Sequence, residues 1–126
     1  METNNDLSEN LVTWLGKMPK YLRLHGGEEY YVPIFYKHEW EGHDNAWFAM
    51  YAKEGSKYFN PTNCVLGVQG PDFLTTLKKF YDEFNRLAAL GVFVGKEYHP
   101  EKLPADEKNN RYAYDSISGK IMTKSI

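Results

Sequence analysis

PDFLTTLKKFYDEFNRLAAL, residues 71–90, is the stretch on which the fold of this chain turns. Phe73, Leu77, Phe80, Phe84 and Leu87 recur at alternating spacings of four and three, so on a helix they share one stripe. Leu74, Tyr81 and Ala88 widen that stripe, and Thr75, Lys78, Asp82, Arg86 and Ala89 fill the opposite face. Asp82 precedes Arg86 by four, which predicts a surface pair worth only ~0.3 kcal/mol. Pro71 suits the first helical position, Asp72 the negative charge of a first turn, and Gly91 the left-handed residue that stops a helix. Three phenylalanines on one face require a facing surface, and the aromatic residues upstream can build it as a sheet.

Working outward, residues 29–37, EYYVPIFYK, and 46–53, AWFAMYAK, read as two strands of an antiparallel hairpin. Alternation puts Tyr30, Val32, Ile34 and Tyr36 on one face of the first and Tyr31 and Phe35 on the other. In the second, Phe48 and Met50 oppose Trp47 and Tyr51. Pro33 cannot donate to a ladder, which predicts an edge or a bulge. Residues 64–68 and 92–94 read as short strands, and 112–114 with 120–122 as a terminal hairpin. Residues 7–18 read as a short amphipathic helix with Asp6 as N-cap, stopped before Pro19. Residues 1–6 are expected to be disordered, and 95–110, charged and with two prolines, to form a mobile loop. The expectation is a single α+β domain over residues 1–126: an antiparallel sheet of about five short strands on one long helix, 71–90, with a short N-terminal helix.

The net charge of −2 gives no basic excess, so nucleic acid is not an expected partner. A single cysteine, Cys64, allows no internal disulfide. With a polar start and no long apolar run, the composition predicts a soluble, cytoplasmic protein with no membrane segment. The unusual quantity is the aromatic content of 16%, more than a small core needs; spare Tyr and Trp at a surface are typical of binding sites.

No catalytic constellation assembles. The densest ionisable run is the 38–45 loop, where His38 and His43, with Glu39, Glu41 and Asp44, could hold a divalent metal. Its spacing matches no metal signature, and a solvated turn is the plainer reading. Val68-Gln69-Gly70-Pro71 leads into a helix N-terminus, yet Pro71 removes a donor and Asp72 repels anions, so a capped helix start is preferred over a phosphate site. Cys64 reads as an inert buried thiol.

The preferred function is therefore non-enzymatic: docking on another protein as an inhibitor, immunity, anti-defence, chaperone or adaptor protein, with no cofactor. The expected surface is Tyr31, Phe35, Trp40, Trp47 and Tyr51, taken as the sheet face turned away from the long helix, with Glu39, Glu41 and Asp44 steering a basic partner. A homo-oligomer is compatible with this reading. The alternative is an aromatic-lined pocket for a nucleotide base or a sugar, and third is a metal-dependent enzyme built on the 38–45 loop.

Overall fold

The structure, a computed structural model, describes residues 4–39, 46–108, 111–115 and 120–123, without the side chains of 4–8 and of 113 onward. In chain order the elements are α1 (Asn4–Lys17), β1 (Leu22–Leu24), β2 (Tyr30–His38), β3 (Ala46–Lys53), β4 (Cys64–Gly70), α2 (Phe73–Ala89), β5 (Phe93–Val94), β6 (Glu97–Tyr98), β7 (Tyr112–Asp115) and β8 (Lys120–Thr123). Six strands form one mixed sheet in the order β4-β3-β2-β1-β6-β5, and β7 pairs β8 in a separate antiparallel ladder. The α+β class holds, but the sheet is not wholly antiparallel, because β1 and β6 run parallel. Strands as short as 22–24 and 97–98 carry too few residues for a period of two to be legible. Among the described residues, no helix is long and apolar enough to cross a membrane.

Helix α2 begins later than Pro71 suggests. Asp72 is the N-cap, extended in backbone, and its carboxylate accepts from Thr75 N at 2.7 Å and Thr75 Oγ1 at 2.9 Å. The carboxylate captures a first-turn donor that proline would leave to water, so Pro71 stays outside the helix. At the other end Gly91 takes φ 82°, with Gly91 N donating to Ala88 O and Val92 N to Leu87 O. This doubly bonded ending seals the carbonyls of the last turn, and Leu87 and Val92 are buried beside it. Asp82 pairs with Lys78 at 2.7 Å rather than with Arg86, which binds Glu83 and Glu107 instead.

The two faces of the hairpin are exchanged relative to the sequence reading. Register places Tyr31, Phe35, Trp47, Tyr51, Leu66 and Val68 on one face of the sheet, and this face lies under α2. Phe80 stacks on Tyr51 at 5.5 Å between ring centres and meets Phe35 edge-on at 5.4 Å. Trp14 of α1 closes the same core, edge-on to Phe80, Tyr81 and Phe84. Ala49 and Gly70 supply the room: a Cβ on Gly70 would lie 2.5 Å from Thr76 Oγ1. On the outer face, Phe48, Met50 and Ala52 are also buried, and the Phe59 ring lies against Gly67 with Phe59 N donating to the Tyr36 hydroxyl.

Helix α1 extends back to Asn4, so Asp6 lies inside it and is not its N-cap; residues 4–6, expected to be disordered, are helical, and 1–3 fall outside the described residues. Within 95–110, the segment expected to be a mobile loop, residues 95–108 contribute β6 and two 3-10 turns, Pro100–Lys102 and Ala105–Glu107, and Leu103 between them is buried in the core.

Candidate functional site

Of the residues expected to form a surface, Tyr31 and Tyr51 are buried beneath α2, and burial pushes both phenols up. The Tyr51 hydroxyl donates to Pro19 O at 2.6 Å. Phe35 and Trp47 are half-buried and meet at Phe73, itself 37% exposed, at the start of α2. Glu39 is exposed but already paired with Lys37 at 3.0 Å. Trp40, Glu41, His43 and Asp44 lie outside the described residues, so the proposed metal set of the 38–45 loop is represented by Glu39 and by His38, half-buried and edge-on to Phe48.

What the hairpin does offer is the far edge of β2. Strand β3 pairs with β2 along its whole length, but β1 meets it only at Tyr30 and Tyr31. The Glu54 N–H to Tyr30 O bond makes Tyr30 a hydrogen-bonded position toward β3. With period two, Val32, Ile34 and Tyr36 also face β3, while Pro33, Phe35 and Lys37 turn their main-chain polar groups to the other edge. No strand among the described residues occupies that edge beyond Tyr31. Pro33 thus sits where its missing donor costs no ladder bond, which is the edge character its sequence predicts. Along the outer face beside it run Tyr30, 40% exposed, then Val32, Ile34 and Tyr36, half-buried. Tyr21 packs edge-on against Tyr30 at 5.4 Å and Tyr58 against Tyr36 at 5.7 Å.

A second feature is a polar cavity of about 170 Å³ lined by Tyr31, Asn63, Cys64, Tyr98, Arg111 and Tyr112, among others. Arg111 is buried; its guanidinium donates to Val65 O and to the Tyr112 hydroxyl, which in turn donates to Glu83. No ion pair of Arg111 is found among the described residues, and Asn63 Oδ1 is buried without a hydrogen-bond partner. Burial pushes the thiol of Cys64, half-buried at this cavity, up to about 12, which keeps it protonated at neutral pH.

The third feature joins β1 to β6. Arg23 N donates to Lys96 O and His25 N to Tyr98 O, so the parallel pairing sets His25 beside Glu97 and His99 on the outer face. His25 Nδ1 lies 3.3 Å from Glu97 Oε2, and His99 Nε2 lies 3.6 Å from Glu97 Oε1. The imidazoles stack at 4.2 Å, and His99 Nδ1 bonds Glu101 at 2.9 Å. The His25 contact holds the Glu97 carboxyl below the usual range, and the His99 bond does the same for Glu101. Sequence reasoning passed over this trio. Glu97 and His99 alternate onto one strand face, a faint signal, but His25 stands 72 positions before Glu97, and only the β1–β6 crossover brings it there.

No protein-family model, no curated protein sequence and no solved structure matches the chain.

Proposed function

We propose that this protein works by docking another protein on its hairpin, the partner adding an extended segment to the open edge of β2. The observation that carries this reading is the far edge of β2 at Pro33, Phe35 and Lys37, to which no strand among the described residues pairs and which apolar side chains flank on both faces. Main-chain bonds to Phe35 and Lys37 would supply affinity, and Ile34, Tyr36 and Phe35 would supply contacts for alternate partner side chains. Tyr30, Tyr36 and Tyr58 replace the buried Tyr31 and Tyr51 as the aromatic anchors. The inhibitor, immunity, anti-defence, chaperone and adaptor roles all accommodate this mode, and Glu39 with the acidic residues after it favours a basic partner.

Lys37→Pro tests it. Lys37 N–H points to the open edge, so proline there removes an edge donor while leaving the β3 ladder intact. Wild type and Lys37→Ala should capture the same partner, and folded Lys37→Pro should lose it by at least about tenfold, the equivalent of one charge-free hydrogen bond. Retention of full affinity by Lys37→Pro, or capture of no protein by wild type, contradicts the reading.

A second reading rests on the cavity beside Arg111. A buried guanidinium with no ion pair among the described residues, and an amide oxygen with no hydrogen-bond partner among them, line polar space that suits a small ligand bearing both an anion and a donor. Its volume suits one base-sized or sugar-sized ring. Thermal-shift titration of Arg111→Gln and wild type with small carboxylates, bases and sugars tests it; shifts identical in both proteins count against the cavity.

A further inference from the structure

We propose that His25, Glu97 and His99 bind a divalent cation of the zinc class, clasping β1 to β6. Two imidazoles and one carboxylate are a borderline nitrogen–oxygen donor set, which suits Zn²⁺, Co²⁺ or Ni²⁺; Mg²⁺ and Ca²⁺ take oxygen ligands. The spacing fits as well. Donors ~2.1 Å from a tetrahedral ion stand about 3.4 Å from one another, and the two nitrogen–oxygen distances here are 3.3 and 3.6 Å. All three donor atoms fall within 4.8 Å of one another. The His25 side chain is half exposed, and a turn about its side-chain bonds, which gives up the stack on His99, closes the remaining gap to that residue.

Three further observations distinguish this trio from a chance surface cluster. First, His99 Nε2 is buried, has no hydrogen-bond partner among the described residues, and stands 3.6 Å from Glu97 Oε1. Second, Glu101 lies 2.9 Å from His99 Nδ1, placed to accept its N–H and leave Nε2 as the ligand nitrogen, as an outer-shell carboxylate does in histidine metal sites. Third, the ligands stand on fixed backbone: His25 N is tied to Tyr98 O and His99 N to Val92 O at 2.6 Å, and the β5–β6 turn is set by Gly95 at φ 60°. Three protein ligands leave one position of a tetrahedral ion for water or for a donor from elsewhere. The site is independent of the β2 edge.

The test uses tag-free full-length protein, stripped with EDTA and titrated with ZnCl2 by calorimetry and with Co²⁺ by visible absorption. Wild type should bind a single equivalent, show the tetrahedral Co²⁺ band, and melt at a higher temperature with Zn²⁺. His25→Asn and His99→Asn should each weaken binding at least about tenfold, and Glu101→Gln about 10–100-fold, while His38→Asn leaves it unchanged. In wild type, Zn²⁺ should shift the imidazole NMR signals of His25 and His99, a readout that needs no variant to fold. Absence of saturable binding at millimolar metal overturns the proposal. So does binding that survives both histidine substitutions, or shifts confined to His38 and His43.

Discussion

Gly70 and Thr76 meet where β4 hands over to α2. The Thr76 hydroxyl bonds Asp72 O at 2.7 Å, and the glycine leaves no Cβ in its way. Gly70→Ala should therefore force the helix start off the sheet and cost about 1–3 kcal/mol in a denaturant titration; a change near zero would mean that the helix sits higher than described. Tyr51 makes a second residue-scale test. Tyr51→Phe keeps the ring stack with Phe80 but leaves Pro19 O without its donor, so a loss of about 1–3 kcal/mol is expected, and a neutral result would place water at that carbonyl. Cys64 offers a chemical readout. Its thiol is raised to about 12 by burial, so the native protein should alkylate slowly at pH 8 and rapidly once unfolded. The sign for stability follows: the unfolded thiol ionises first, so this contribution is present below about pH 8.5 and fades as pH rises toward 12. Rapid native alkylation would contradict the burial.

At the scale of elements, α2 was legible from its stripe alone, because a 3.6 period sustained over about four turns has few alternatives. Its ends were less so: Pro71 and Asp72 both favour a helix start, and which of them caps it depends on the side chain's reach to Thr75. The helix is also tied to the segment after β6 through Arg86, which bridges Glu83 and Glu107. The bond to Arg86 holds the Glu107 carboxyl below its ordinary range. A depressed carboxylate contributes stability above its unfolded pKa and loses it as pH falls through the folded one. Glu107→Gln should thus flatten the acid limb of the stability curve while leaving alkaline stability unchanged in slope; an unaltered acid limb would show that the bridge is not held in solution. Phe80→Ala should cost about 3–5 kcal/mol, since its ring is enclosed by Trp14, Phe35 and Tyr51.

At the scale of the whole molecule, period two divided the hairpin into its two faces correctly, yet composition could not say which face meets α2. Both carry aromatics, and the face that meets α2 is the one on which Gly70 leaves room for Thr76. The same ambiguity misdirected the binding surface toward Tyr31 and Tyr51. The His25–Glu97–His99 trio was illegible for a different reason: it exists only through a parallel pairing of two very short strands distant in sequence. The functional account stands on one consequence of this topology, a far edge of β2 that no strand among the described residues pairs beyond Tyr31. Amide hydrogen exchange reads that edge residue by residue. The N–H groups of Val32, Ile34 and Tyr36, bonded to β3, should exchange slowly, and those of Phe35 and Lys37 should exchange faster in strict alternation and slow when a partner is bound. Uniformly slow exchange from Val32 to Lys37 in the isolated protein would mean that the edge is already covered, and would contradict the account.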